Sequence, residues 1–143
     1  MWIVKIGGSW INNPNLSNLI KNLQRLSNTD NIIIVNGGGA FSDSVRLVYE
    51  NKKMSEKTGN YIALKATELF SHLLKEIEKN ICLVGDIESL GFSNKMLKIW
   101  LPSMILKNDS TFIKNWESTS DSVAAWLHSK INSLLSLIHI SEP

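Results

Sequence analysis

The chain has 143 residues, of which 43% are hydrophobic and 20% are charged, and its formal net charge is +2. A chain of this length can bury roughly two-thirds of the surface that its unfolded form exposes, which allows one globular domain. The apolar fraction excludes intrinsic disorder. The 8 glycines and 3 prolines exclude collagen-like and low-complexity structure.

Charge and hydropathy also limit the classes of partner. Only Arg25 and Arg46 are arginines, and no basic cluster carries interleaved aromatic residues, so we expect no nucleic-acid partner. No apolar run approaches the ~20 residues of a bilayer span, so we expect no membrane partner and a cytoplasmic location. The single cysteine, Cys82, agrees with a reducing compartment.

The first third of the chain alternates between strand and helix patterns. Trp2–Ile6 is apolar except for one lysine and predicts a buried strand that ends at two glycines. Asn13-Pro14 predicts a helix start, with leucines and isoleucine at helical spacing up to Leu26. Residues 31–35 (NIIIV) predict a second buried strand, and three glycines follow it after Asn36.

The rest of the chain continues the alternation. Helices are predicted over residues 40–50 and 55–79, and from residue 118 onward; strands are predicted over residues 81–84 and 98–101. The helix predicted over residues 55–79 carries an apolar stripe, which predicts its buried side: Ile62, Ala66, Leu69, Leu73 and Ile77. This pattern is typical of an α/β fold with a mostly parallel sheet, whose ligands bind beyond the carboxyl ends of the strands. Both glycine clusters fall at those ends.

The first candidate site is the segment Lys5-Ile6-Gly7-Gly8-Ser9. A lysine in an apolar strand carries a desolvation penalty unless an anion meets it, and glycines let backbone N–H groups approach a phosphate. An edge-strand lysine beside an ordinary glycine turn explains this motif equally well.

The second candidate site is Asn36-Gly37-Gly38-Gly39. A β-hairpin turn is excluded because the next residues follow a helical pattern, and Ser42 stands where a dinucleotide fingerprint needs its third glycine. A strand–glycine–helix turn favours binding of a phosphate or carboxylate over plain loop geometry.

The third candidate site is the segment Trp116-Glu117-Ser118-Thr119-Ser120-Asp121-Ser122. Ser118 and Asp121 have the spacing of a capping box, which is the simpler interpretation of this motif alone. In the functional interpretation, Asp121 in the first helical turn orients a lysine or takes part in metal–nucleotide binding. His72 and His128 have no partner at metal-ligand spacing, so no protein metal site is predicted.

The final segment, residues 135–143 (LSLIHISEP), closely resembles the translation of a sequencing adapter. A natural C-terminus is the alternative. We expect residues 1–134 to be the native, truncated part of a domain and residues 135–143 to be a non-native tail.

Together, the KIGGS turn, the second glycine turn and the TSDS helix start resemble the amino acid kinase superfamily, in this order and spacing. The segments NGGGAFSDSVR, MSEKTGNYIALKATELF and WESTSDSVAAWL further resemble the branch that includes the aminomethylfuran phosphate kinase. The resemblance implies a three-layer α/β sandwich with a mostly parallel central sheet, of which this chain is the N-terminal, acceptor-binding portion.

The resemblance also implies roles for individual residues and a chemistry. Lys5 would contact the transferring phosphoryl group, and Asp121 would order it. Phosphate donors would come from Gly7, Gly8 and Ser9. The acceptor would be held by Gly37, Gly38 and Gly39, with Arg46 as a further anion contact because a guanidinium suits phosphate. Asn36 stands where relatives often have His or Pro, so the acceptor stays open.

ATP and Mg²⁺ would be the cofactors, the partner a small anionic substrate, and a homo-oligomer is a further expectation. In this superfamily the C-terminal half holds the nucleotide, so we expect a kinase as the parent protein and an inactive 143-residue fragment. The alternatives are a non-catalytic anion-binding module of the same fold and an unrelated doubly wound domain. In the latter, the TSDS segment would be only a helix cap, remote from both glycine turns.

Overall fold

The computed structural model describes residues 1–91, 95–115, 118–131 and 136–140. Within these ranges it shows a parallel five-stranded sheet in the order β3-β4-β2-β1-β5. The strands are β1 (Trp2–Ile6), β2 (Ile32–Asn36), β3 (Cys82–Val84), β4 (Lys98–Trp100) and β5 (Ser136–Ile140). The α/β class and the parallel sheet predicted from the sequence are therefore confirmed.

Six α-helices and one 3₁₀ helix connect these strands in the described part of the chain. The 3₁₀ helix spans Gly8–Asn12, and the α-helices are α1 (Leu16–Leu26), α2 (Gly39–Lys52), α3 (Glu56–Ile77), α4 (Ile87–Gly91), α5 (Ser103–Asn108) and α6 (Ser120–Lys130). No described helix is long and apolar enough to cross a lipid bilayer.

Alternate residues of the buried strands pack into two separate apolar clusters, one on each face of the sheet. On one face, α1 and the C-terminal part of α3 contribute Ile20, Phe70 and Leu74. On the other face, α5 and α6 contribute Leu106 and Leu127. Since successive strand residues point to opposite faces, this gives the predicted three-layer sandwich.

The helix α3 starts as the sequence predicts but buries a different side. Ser55 is its N-cap, and its hydroxyl oxygen accepts a hydrogen bond from the backbone N–H of Thr58 at 3.3 Å. The predicted apolar stripe is wrong in part, because Leu69 is 53% exposed and Leu73 is also exposed. Phe70 and Leu74, each one position further along, are buried in their place, whereas Ala66 of the predicted stripe is buried as expected.

The start of α1 also differs from the prediction. The helix begins at Leu16 rather than at Pro14, with Asn15 as its N-cap. The side-chain oxygen of Asn13 accepts a hydrogen bond from the backbone N–H of Asn15 at 2.8 Å. Such a turn, built by an asparagine side chain on its own backbone, delays the helix by two residues.

Part of the segment predicted to be a non-native tail forms β5, which pairs with β1 in parallel from Trp2 opposite Ser136 to Ile6 opposite Ile140. An open strand edge offers unpaired backbone groups to any segment with strand propensity. The pairing of β5 with β1 therefore does not test whether the tail is native, and its non-native origin stays a prediction. Residue 135 and residues 141–143 lie outside the described residues, as does the predicted boundary at residue 134.

Candidate anion-binding site

The two glycine turns lie side by side because β1 and β2 are adjacent and parallel. The register places Ile6 opposite Asn36, so the residues that follow them leave the sheet at the same edge. A Cβ atom added to Gly8 would lie 2.0 Å from the backbone nitrogen of Gly39, and one added to Gly37 would lie 2.6 Å from the backbone nitrogen of Gly8. The turns interlock at distances that only glycine permits.

Gly39 has a second reason to be glycine. Its φ of +49° lies in the left-handed region, which disfavours a side chain. This conformation turns the chain from β2 into α2, directly over the turn that follows β1. The glycine clusters are thus required for packing as well as for any ligand.

Two of the predicted amide donors are already used within the fold. The backbone N–H of Gly7 donates to the carbonyl oxygen of Ile140 at 3.1 Å, and that of Gly37 donates to the carbonyl oxygen of Ile6 at 2.7 Å. The amides of Gly8 and Gly39 open helices, and the first amides of a helix have no acceptor within it. An anion at this edge would therefore be met by Gly8 and Gly39 rather than by Gly7.

A cleft of about 240 Å³ opens over these turns. Its lining includes Gly8 and all three glycines of the second turn, whereas Gly7 and Ser9 are absent from the described lining. The walls come from α2, α3, the loop before α6 and the start of α6, at Ser42, Asp43, Arg46, Asn60, Ala63, Leu64, Thr67, Asn115, Ser118, Thr119, Ser120 and Val123. The cleft is thus closed by elements from most of the chain.

The predicted cation, Arg46, lies on the α2 wall of this cleft. Its guanidinium is 3.9 Å from the carboxylate of Asp43, and both side chains are mostly exposed. An exposed ion pair of this kind contributes little to stability, about 0–1 kcal/mol. The pair with Asp43 therefore contributes little to fixing the Arg46 side chain on this wall.

Lys5 and Asp121 lie next to the cleft and contact each other. The Lys5 ammonium is 3.4 Å from the Asp121 carboxylate; the lysine side chain is 9% exposed and the aspartate side chain 58%. Lys5 points to the face of the sheet on which α6 packs, and Asp121 lies in the first turn of α6. The structure thus brings together two residues that the sequence separates by most of the chain.

The start of α6 differs from the predicted capping box. The helix begins at Ser120 with Thr119 at its N-cap, and the Ser118 hydroxyl donates to the carbonyl oxygen of Ile113. The capping-box interpretation of Ser118 is therefore wrong, because the hydroxyl is used in the preceding loop. Trp116 and Glu117 of the same motif lie outside the described residues.

An aromatic contact holds α6 in place beside Lys5. The indole rings of Trp100 and Trp126 stack with centroids 5.6 Å apart and an interplanar angle of 7°. The Trp126 indole N–H donates to the carboxylate of Asp109 at 3.2 Å. That carboxylate also accepts from the backbone N–H and hydroxyl of Thr111, and these bonds lower the pKa of Asp109 below its usual value.

Sequence reasoning missed the polar residues that α3 contributes to the cleft. Asn60 and Thr67 lie on a helix that was interpreted only through its apolar stripe. A signal existed: Asn60 follows Gly59 in the first turns of the helix, an unusual pair in a segment that should otherwise favour helix formers. Nothing in the sequence indicates, however, that this side faces the glycine turns.

The fold and the site together define an α/β protein with a glycine-lined cleft beyond the carboxyl ends of parallel strands, next to a buried lysine. The family profile described as the amino acid kinase family matches residues 1–132. The chain belongs to the amino acid kinase family.

One relative and one solved structure extend this comparison. The chain is 30% identical over 130 residues to the [5-(aminomethyl)furan-3-yl]methyl phosphate kinase of Methanocaldococcus jannaschii; the match covers 89% of this chain and 59% of that protein. The structure of this chain is similar to that of the uridylate kinase of Archaeoglobus fulgidus, with a TM-score of 0.74 and 19% identity. That match covers 99% of this chain and 63% of the uridylate kinase. The chain thus spans about three-fifths of the length of each.

Proposed function

We propose that this chain is the acceptor-binding part of an ATP-dependent kinase that transfers the γ-phosphoryl group to a phosphate or carboxylate acceptor. The observation that carries the proposal is the Lys5–Asp121 pair at 3.4 Å, next to a glycine-lined cleft. Membership of the amino acid kinase family supports the reaction class.

In this proposal the residues position groups and stabilise charge. Phosphoryl transfer asks a protein mainly for these two contributions. Lys5, held against Asp121, would compensate the charge on the phosphoryl group in transit, while Gly8, Gly39 and Arg46 would hold the acceptor anion. A phosphate or carboxylate oxygen is already nucleophilic, so the chain needs no general base.

Mg²⁺ bound with ATP would supply charge neutralisation on the nucleotide phosphates. Among the described residues, no three His, Cys, Asp or Glu side chains converge into a metal-binding group. Magnesium in such reactions is typically held by one or two carboxylates together with substrate phosphates. The described residues fit that arrangement, because Asp121, the carboxylate next to Lys5, would be one protein ligand and the nucleotide phosphates would supply the others.

For the acceptor we propose a phosphomonoester, with a place in the biosynthesis of a methanofuran-type cofactor. The support is the name of the 30% identical relative, a kinase of an aminomethylfuran methyl phosphate. Because the chain spans 59% of that relative, we propose activity for the whole protein and none for the 143-residue chain alone.

The test is ATP-dependent phosphorylation of phosphomonoesters by the longest polypeptide that the source gene encodes, with the 143-residue chain assayed alongside. Lys5→Met should lower turnover by at least about a hundredfold, because transition-state charge is left uncompensated. Lys98→Met is the matched control. Lys98 is likewise a buried strand lysine, but its register with Ile33 places it near the amino ends of the strands, away from the cleft.

Turnover by Lys5→Met equal to that of Lys98→Met would refute the role of Lys5. Absence of turnover in the longest polypeptide, combined with measurable binding of phosphomonoesters, would favour the non-catalytic anion-binding module.

A further inference from the structure

A polar side chain lies at the foot of the second glycine turn, on the face of the sheet opposite to Lys5. Asn36 is the last residue of β2 and is 4% exposed. Successive strand residues point to opposite faces, so Asn36 shares the face of Ile32 and Ile34, which belong to the apolar cluster beneath α1 and the C-terminal part of α3. An amide in such surroundings lowers stability unless both its N–H₂ group and its oxygen are bonded.

The amide nitrogen of Asn36 is bonded, but its oxygen is not. The Nδ2 atom donates to the hydroxyl oxygen of Ser71 at 3.0 Å. The Ser71 hydroxyl in turn donates to the carbonyl oxygen of Thr67 at 3.3 Å, so its hydrogen is used and its oxygen accepts from Asn36. The Oδ1 atom of Asn36 is enclosed and meets no hydrogen-bond donor in the part of the chain that the structure describes. Asn36 therefore keeps an unsatisfied acceptor in the core, which costs stability.

The bond to Ser71 connects the foot of the glycine turn to the α3 wall of the cleft. Ser71 lies one helical turn after Thr67, and Thr67 and Leu64 both line the cleft. The Thr67 hydroxyl donates to the carbonyl oxygen of Leu64 at 2.8 Å. A continuous row of hydrogen bonds thus runs from the end of β2 to the wall that α3 contributes.

The second glycine turn is attached on two sides. On the β1 side, the backbone of Gly37 and Gly39 packs against the turn that follows β1. On the α3 side, the attachment is the side-chain bond from Asn36 to Ser71. The separation of the glycine turn from α3, and with it the position of the Gly39 amide in the cleft, depends on both attachments.

An apolar residue would suit the surroundings of Asn36 better than an amide does. Valine favours strands and has no polar atom that needs a partner in the core. Groups that lower stability occur where they hold a functional site in place, which is a frequent conflict between stability and function. The position of Asn36 directly before the glycines indicates that the site in question is the cleft.

We propose that Asn36 is a positioning residue for acceptor binding. Through Ser71 it fixes the second glycine turn against α3, and so places the Gly39 amide for the anionic group of the acceptor. The inference rests on the proposed function and deepens it, because Asn36 acts through the turn rather than on the substrate itself.

The experiment compares the wild-type 143-residue chain with Ser71→Ala and with the double variant Asn36→Val/Ser71→Ala. Urea unfolding gives the midpoint of each, and calorimetric titration with methyl phosphate gives the affinity. Ser71→Ala leaves the Asn36 N–H₂ group without its acceptor in the core, so the midpoint should fall. The double variant removes both partners, so its midpoint should return to the wild-type value or exceed it.

Binding should behave differently from stability. Methyl phosphate should bind at least about tenfold more weakly to both variants, because the turn has lost its attachment to α3 in each. Recovery of stability without recovery of binding is a result that a purely structural role would not produce, since the two would then recover together. Asn36→Val alone keeps the Ser71–Thr67 bond and tests binding in the same way should Ser71→Ala fail to fold.

Ser103→Ala is the matched control. The Ser103 hydroxyl is likewise enclosed without a partner in the described part of the chain, at the start of α5, and the residue is 0% exposed. Removing it should leave the urea midpoint unchanged or raise it, and should leave the affinity for methyl phosphate unchanged.

The outcomes separate this inference from the proposed function. Wild-type affinity in the double variant would overturn the role of Asn36 and leave the anion site intact. A midpoint of the double variant as low as that of Ser71→Ala would overturn it as well, because the pair would then serve folding rather than position. Absence of methyl phosphate binding by the wild-type chain would overturn both proposals.

Discussion

The interlocked glycine turns predict a large difference between two neighbouring substitutions, Gly8→Ala and Gly7→Ala. The Cβ atom that Gly8→Ala adds would lie 2.0 Å from the backbone nitrogen and 2.4 Å from the Cα atom of Gly39. Real Cβ atoms essentially never approach closer than 3.0 Å, so the turns would have to separate by about 1 Å. Both contacts are with backbone, which cannot rotate away as a side chain can.

The same substitution one residue earlier meets no obstacle. At Gly7 the added Cβ would lie 3.6 Å from its nearest neighbours, and φ and ψ of −63° and 148° suit any residue. Overpacking typically costs about 1–3 kcal/mol, and we expect Gly8→Ala at the upper end of that range. Gly7→Ala should change the free energy of unfolding little, or raise it by about 0.4–1 kcal/mol because the unfolded chain loses freedom.

Urea unfolding followed by tryptophan fluorescence measures both variants against the wild type. The free energies should differ by about 2–4 kcal/mol between them, with similar denaturant slopes. Equal stability of Gly7→Ala and Gly8→Ala would show that the two turns do not approach each other as described, and the basis of the cleft would fail with it.

Two further predictions concern titratable groups. Burial lowers the pKa of Lys98, so its desolvation penalty is present at neutral pH and is relieved as pH rises from the folded pKa towards about 10.5. Lys98→Met removes the hydrogen bond from the ammonium to the carbonyl oxygen of Leu90, but that oxygen keeps a donor because Asn31 also bonds to it. The free energy of unfolding at pH 7 should therefore stay unchanged or rise by up to about 2 kcal/mol. A large loss of stability in urea unfolding would refute this. The pKa of Asp109 is lowered in the folded protein, so its carboxylate contributes to the free energy of unfolding at pH values above its unfolded pKa of about 3.9. This contribution is lost as pH falls through the folded pKa. Asp109→Asn should lower the melting temperature at pH 7 and flatten its decline in acid; parallel pH profiles for variant and wild type would contradict this.

Much of the fold could be predicted from the sequence, because strands, helix caps and glycine turns depend on short-range interactions. The run IIIV in β2 is typical of a buried strand, and Ser55 caps its helix through a neighbour three residues away. The order of strands, glycines and helices then implies a parallel sheet, and with it the edge at which a ligand binds.

Other features could not be predicted, because they depend on residues that are distant in sequence. The contact of Lys5 with Asp121, which only the family resemblance implied, requires α6 to pack over β1, and the Trp100–Trp126 stack holds α6 against the sheet. The side of α3 that is buried depends on two clusters on opposite faces of the sheet, which no helical periodicity can reveal.

The glycines also have some properties that the sequence predicts and others that depend on contacts distant in sequence. Their presence after β1 and after β2 predicts two turns and an anion cradle. Only the packing of the turns shows that Gly8 is held against Gly39 while Gly7 has space for a side chain. The elements, and the edge of the sheet that carries the site, follow from local propensity and can be inferred from the order of residues alone. Which atoms face the cleft depends on contacts between elements, and these exist only in the folded chain.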